Sequence, residues 1–219
     1  MIIFMVEKYL YQGLNMLQQE YKTDKYGKEI LLRYNKHQVM MEWEKPYMEA
    51  CIDKLQPKGD VLEIGFGMGY SATQIQKYKP KSHTIIEMDK TVIKKLKKWA
   101  KDYDNIIIVE GTWQEKLNDL EKFDEIFFDD FPLKESENLL EKKIINERVM
   151  MFLDMCRYNH SKPKTKISAY VHDPEGNFKK RMDENPYYSY KEYIIDIDLP
   201  DNCNYYRDNK GIVPIIKMR

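Results

Sequence analysis

The chain has 219 residues, with 36 Lys plus Arg against 36 Asp plus Glu and a formal net charge of zero. That length buries a full core in one domain, and the even balance removes the electrostatic footprint that nucleic-acid binders usually carry. Its three cysteines, Cys51, Cys156 and Cys203, lie far apart without metal-ligand spacing, which argues against a disulfide framework and for a reducing compartment. The opening MIIFMV meets a charge at Glu7 and shows no small-residue cleavage site, so it reads as an amphipathic helix or arm rather than a signal peptide. No apolar run approaches bilayer length. The expectation is a cytoplasmic protein that engages neither membrane nor nucleic acid.

Residues 1 to about 38 are rich in Tyr, Lys and Gln, with weak periodicity that suggests one or two short helices. Pro46 then opens PYMEACIDKL, where Tyr47, Ala50, Cys51 and Leu55 recur at helical spacing behind a first-turn proline. From residue 59 the texture changes. GDVLEIGFG reads as a strand and a glycine turn, SATQIQKYKP as a helix, HTIIEMD as a second strand. KTVIKKLKKWAKDY carries Val92, Leu96 and Trp99 on one side, an amphipathic helix whose lysines form a solvated face. NIIIVEG is a third strand, TWQEKLNDL helical, FDEIFFDDF a fourth strand and ENLLEKKIINERVMMFLDMCR a long helix. KTKISAYVHD is a fifth strand and GNFKKRM a short helix. YKEYIIDIDL and NKGIVPIIKM close as a strand pair with no helix between. Strands alternating with helices predict a mostly parallel sheet covered on both faces, with an antiparallel strand at the end.

Two stretches carry chemistry. In VLEIGFGMGYS, Gly65, Gly67 and Gly69 follow a buried strand and precede a helix, a turn that lets backbone approach a ligand. Glu63 lies inside the first strand, and Glu87 closes the second, where an acid in a nucleotide-binding α/β sheet accepts ribose hydroxyls. The spacing G-x-G-x-G differs from the dinucleotide fingerprint, and no P-loop occurs. The second stretch is the tip of the fourth strand, where Asp129 and Asp130 stand side by side before Phe131 and Pro132. Desolvating an unpaired carboxylate is costly, so either this tip is an exposed turn or it binds a cation. Asp130 is expected to add negative potential or to point to solvent. His37, His83 and His160 have no partner at catalytic spacing, and no His/Cys metal cluster or Ser-His-Asp order appears.

An acid in the strand followed by G-x-G-x-G resembles the first motif of Rossmann-like S-adenosylmethionine-dependent methyltransferases. With VMMEWEKPYM (39–48), HTIIEMD, FFDDFPL (127–133) and CNYYRDNKGIVPIIKM (203–218), in that order, the chain resembles the guanidinoacetate N-methyltransferase family, which shares its core with fungal arginine Nδ-methyltransferases. The resemblance implies a class I methyltransferase fold. It makes residues 1–219 one domain, with 1–38 an N-terminal lid or arm and 39–219 the Rossmann-like core. It implies S-adenosyl-L-methionine as cofactor, bound by Met40, Met48, Glu63, Gly65, Phe66, Gly67, Met68, Gly69, Glu87, Met88, Thr112, Trp113 and Asp129. Glu44 and Asp129 become the carboxylates that hold a guanidinium and catalyse its methylation, with Phe131 in place of the family's tyrosine beside them. His172 and Asp173, where HDPEG departs from the family after the fifth strand, are candidates for the acceptor side by their position on the same sheet edge, and no metal is expected.

A guanidinium fits that pair, because its planar N–H groups match a carboxylate fork. The acceptor is a small guanidino compound such as guanidinoacetate, with arginine, free or in a peptide or protein, as the alternative. A carboxylate at Asp173 facing the pocket would repel a short acidic tail and favour the longer acceptors. A rival of another class is a module that binds cofactor or partner without catalysis. A nucleic-acid base methyltransferase would carry D/N-P-P-[YFW] where this chain has Asp-Asp-Phe-Pro. Phe131 and Asp130 replace the family's tyrosine and threonine, and the first 30 residues do not align. A monomer or homodimer is expected.

Overall fold

The computed structural model describes residues 19–130 and 141–219. Within them, seven strands build one sheet. These are β4 (Asp60–Ile64), β5 (Ser82–Glu87), β6 (Ile106–Glu110), β7 (Phe123–Phe128), β8 (Ser161–Ala169), β9 (Tyr188–Asp196) and β10 (Lys210–Met218), in spatial order β6-β5-β4-β7-β8-β10-β9. The pairs β4–β5, β4–β7, β5–β6 and β7–β8 are parallel. β10 runs antiparallel to both neighbours, inserted between β8 and β9. This is the Rossmann-like sheet expected from the alternation, with the expected antiparallel C-terminal strand.

The central strands read as continuous apolar runs because helices cover both faces. Helix α1 (Lys45–Leu55) starts with Pro46 in its first turn, buries Tyr47, Met48, Cys51, Ile52 and Leu55, and stops at Gln56, which takes a left-handed conformation with φ 51°. Helix α2 (Tyr70–Lys77) follows the glycine turn. Helix α3 (Lys90–Trp99) is capped by Asp89, whose side chain accepts the Thr91 and Val92 N–H groups, and it turns Val92, Ile93 and Leu96 inward. The short helix α4 (Trp113–Lys116) starts at a Thr112 cap. Helices α5 (Glu141–Asn159) and α6 (Asn177–Asp183) complete the set.

One sequence expectation is overturned. Residues 19–41, where helix was expected up to about residue 38, form a separate antiparallel sheet of β1 (Gln19–Thr23), β2 (Glu29–Arg33) and β3 (His37–Met41). The boundary expected at residue 38 falls inside β3. The cause is tertiary. Tyr21 donates its hydroxyl hydrogen bond to the Gly67 carbonyl at 2.6 Å, the Gln19 N–H bonds Asp89 Oδ2 at 2.8 Å, and Lys95 of α3 pairs with Glu29 at 2.9 Å. These contacts lay the small sheet across the glycine turn, and they outweigh weak local propensity. The MIIFMV segment lies outside the described residues.

Candidate active site

The strand tips of β4, β5, β6 and β7 end on one edge of the sheet, the edge where open α/β folds bind ligands. Glycine is what lets two of those tips close on each other. Gly65 leaves β4 with φ 81°, and a Cβ there would stand 2.2 Å from the Asp129 carbonyl oxygen. The Asp129 N–H in turn donates to the Ile64 carbonyl at 3.0 Å. The glycine turn and the acidic tip of β7 are therefore locked together by backbone.

A cleft of about 1190 Å³, its open mouth included, lies over this edge. Of the residues expected from sequence, Met40, Glu44, Gly65, Gly67, Glu87, Met88, Thr112, Trp113, Asp129 and His172 line it. Others stand behind its wall. Met48 is buried in the core on the inward face of α1. Phe66 packs on Trp99 with ring centroids 5.4 Å apart. Met68 is buried, its N–H directed at Met40 Sδ 3.3 Å away. Gly69 caps α2 with φ 81°. Phe131 lies outside the described residues.

Glu63 does not reach the cleft. It is fully buried, accepting a hydrogen bond from the Ser71 hydroxyl and paired with His83 Nε2 at 2.9 Å. It ties α2 and β5 to β4 from beneath the glycine turn, and it gives His83 a structural partner that spacing did not reveal. Asp173 is likewise corrected. Its Oδ2 accepts the Lys179 N–H at 2.9 Å in the first turn of α6, because that turn has backbone donors to satisfy. Asp173 is absent from the cleft wall, so the expected repulsion of an acidic acceptor tail has no basis.

Glu87 is buried and receives three backbone hydrogen bonds, Phe66 N–H on Oε2 at 3.0 Å and Met88 and Asp89 N–H on Oε1 at 2.7 and 2.8 Å. A carboxylate has roughly four acceptor sites, so Oε2 keeps capacity toward the cleft. Burial nevertheless raises its proton affinity above that of an ordinary carboxylate.

Glu44 follows β3 in a 3-10 turn, Glu42–Glu44, and is buried. Its Oε1 accepts both the Met41 N–H at 3.0 Å and the Tyr205 hydroxyl. Burial pushes its carboxyl up to about 8, and the Asp129 charge adds to the effect. Asp129 is pushed up to about 7, first by burial and then by the charges of Asp130, Glu63 and Glu87. Among the described residues neither carboxylate is paired with a Lys or Arg.

Asp130 neither points to solvent nor stands alone. The strand ends at Phe128, so alternation no longer governs the next two side chains, and both Asp129 and Asp130 line the cleft. Asp130 Oδ2 accepts Trp113 Nε1–H at 2.6 Å and Arg148 Nε–H at 2.8 Å, with a further bond from Arg148 Nη2.

Sequence reasoning missed Arg148, Tyr170, Tyr205, Gln114 and Gln19, all on the cleft wall. Tyr170 directly follows β8, and the strand-tip rule that singled out Asp129 could have found it. Tyr205 sits inside CNYY. His172 on the same side pairs with Asp208 and stacks on Tyr206 at 4.6 Å.

A family model described as guanidinoacetate N-methyltransferase matches residues 16–154. The chain belongs to this family. Within the guanidinoacetate N-methyltransferase family, the chain is 32% identical over 214 residues to the protein named protein arginine N-methyltransferase 2 of Saccharomyces cerevisiae, covering 85% of this chain and 49% of that one. The chain thus spans about half the length of the curated relatives it matches. Among solved structures, precorrin-6y C5,15-methyltransferase of Geobacter metallireducens aligns with TM-score 0.56 at 14% identity, over 91% of this chain and 93% of that one. An O-methyltransferase of Bacillus cereus, solved in complex with SAH, aligns with TM-score 0.54 at 13% identity, over 82% of each chain. These likenesses concern the fold.

Proposed function

We propose that this chain is an S-adenosyl-L-methionine-dependent methyltransferase acting on a guanidino nitrogen. The observation that carries the reading is the pair Glu44 and Asp129. Two carboxylates face one cleft, and among the described residues no Lys or Arg pairs with either, which is costly unless a cation arrives with the substrate.

The cofactor fits the other half of the cleft. Gly65 and Gly67 keep the wall free of side chains, Glu87 Oε2 has room for a sugar hydroxyl, and Ile86, Met88 and Trp113 offer apolar surface for a base. S-adenosyl-L-methionine bound there supplies an electrophilic methyl group. The solved neighbour in complex with SAH is consistent with that choice.

The chain's own residues do the rest. A guanidinium has a pKa of roughly 12.5–13.8 and almost no free base at neutral pH. Glu44 and Asp129 hold it through its N–H groups and fix the acceptor nitrogen in place, which supplies most of the advantage of an oriented reaction. A nitrogen that gains a methyl group must lose a proton, and Asp129 receives it. A base whose pKa lies near the working pH is best suited to that task, and Asp129 stands at about 7.

For the acceptor, the name of the yeast relative favours an arginine side chain over guanidinoacetate. Retention of both Glu44 and Asp129 speaks against a non-catalytic module. Initial rates with labelled cofactor on guanidinoacetate, arginine, agmatine and an arginine peptide test the reading. Turnover of the longer acceptors alone would keep the carboxylate pair and discard the small substrate. Turnover of none of the four, with methylation of a nucleic acid or a carboxyl group instead, would overturn it.

A further inference from the structure

Asp130 is the residue next to the proposed base, yet it is bound to neither Glu44 nor any acceptor group. Its Oδ2 takes hydrogen bonds from Trp113 of α4 and Arg148 of α5. Trp113 is itself wedged edge-on against Phe128 at 5.6 Å and Phe152 at 5.4 Å. This carboxylate is held from two elements by an always-charged guanidinium and an indole N–H, and it shares the cleft wall with Asp129. Burial raises its own proton affinity, and both partners work against that in favour of the ionised form. We propose that Asp130, clamped by Arg148 and Trp113, is a positioning residue that governs when Asp129 holds a proton. This rests on the guanidino-methyltransferase reading for its purpose, but its physical content does not depend on it.

Several groups bear on Asp129. Glu63 on β4, Glu87 on β5 and Asp130 itself hold its proton affinity up. Glu44, in the turn after β3, senses the Asp129 charge. So do Tyr47 and Cys51 of α1 and Tyr170 after β8, all three neutral at physiological pH because burial raises them. Arg148 and the imidazole of His172 complete the lining. Of the acids named for Asp129, Asp130 acts most strongly after burial, and it alone is gripped by a cation on the cleft wall. Arg148 favours the ionised form of Asp130 against its burial. Removing the Asp130 charge must therefore lower the proton affinity of Asp129.

The test is a titration of the ligand-free protein, following 13C-labelled aspartate carboxyls by NMR, with the Asp129 signal identified by its loss in Asp129→Asn. Asp130→Asn keeps the shape and the acceptor for Trp113, and it should lower the Asp129 midpoint by about one pH unit. The acid limb of kcat/KM should shift in the same direction. An unchanged or raised midpoint in Asp130→Asn overturns the proposal. Because the titration needs no turnover, a chain that methylates no guanidine still answers it. A chain that methylates one while Asp129 ignores Asp130 refutes this inference alone.

Discussion

Tyr205 and Glu44 come from opposite ends of the described chain and meet at one oxygen. The Tyr205 hydroxyl and the Met41 N–H both donate to Glu44 Oε1. Oε1 is thereby occupied by protein, and the Tyr205 bond favours the ionised form against the burial that pushes Glu44 up to about 8. Tyr205→Phe should raise the Glu44 proton affinity further. A hydrogen bond to a charged group is worth about 1.5–3 kcal/mol, so binding of a guanidinium probe near neutral pH should weaken about ten-fold or more. Calorimetric titration with methylguanidine across pH 6–9 would show the loss, largest at the acid end. An affinity equal to wild type throughout would remove Glu44 from the guanidinium site.

The two carboxylates also set how stability depends on pH. Both have folded values above the ordinary range, about 8 for Glu44 and about 7 for Asp129. The folded state then binds more protons than the unfolded one between roughly pH 4 and 8, so stability falls as pH rises through that window. Asp129→Asn removes one of these costs. The variant should gain on the order of 2 kcal/mol over wild type at pH 8.5 relative to pH 5, after allowing for water at the cleft mouth. Urea unfolding of both proteins at the two pH values measures it. A wild type that becomes more stable toward pH 8.5 by the same amount as the variant would show that Asp129 is an ordinary carboxylate.

The same substitution separates binding from chemistry. S-adenosylhomocysteine should raise the melting temperature of wild type by several degrees, by mass action on the folded state, and NAD should not. Asp129→Asn should retain that shift while losing roughly 100-fold or more in turnover, the usual worth of a positioned base. Glu87→Gln should lose the thermal shift instead. A shift with NAD and none with S-adenosylhomocysteine would refute the cofactor assignment.

Gly65→Ala probes the locked strand tips. The added methyl meets the Asp129 carbonyl oxygen at 2.2 Å on a backbone with φ 81°, a conformation that costs a side chain about 1–3 kcal/mol before any clash is counted. The expected result is lowered urea stability together with lost guanidinium binding, since the shift is delivered to the backbone of Asp129. Unaltered affinity for a guanidinium probe would mean that the tip of β7 does not depend on the glycine turn.

The sheet was legible because its strands are buried on both faces and its helices on one, and each leaves its own apolar period in the residues. Glu44 and Asp129 were legible through the family's motifs, since VMMEWEKPYM and FFDDFPL are long enough to be specific. The small sheet of β1–β3 was not. Its first strand, QEYKT, has a single apolar residue, Tyr21, and its order comes from Gly67, Asp89 and Lys95, far along the chain. The Asp130–Arg148 pair joins a strand tip to the middle of α5, and an arginine within an apolar helix carries no sign of which acid it will meet. Asp173 misled for a related reason: a strand-end acid can face a ligand or cap the next helix, and only the position of the Lys179 N–H decides.

The insertion of β10 between β8 and β9 has a consequence for the site. β9 bonds to β10 and, among the described residues, to no other strand. β9 therefore joins the sheet only through β10, which follows it in the chain. The segment that carries Tyr205 lies between those two strands, and the Tyr47 hydroxyl of α1 reaches the Ile212 carbonyl of β10 at 2.6 Å. The early half of the site, with its glycine turn and paired acids, is therefore completed from the far end of the chain. Loss of β10 alone would release the Tyr47 anchor and free the segment that brings Tyr205 to Glu44.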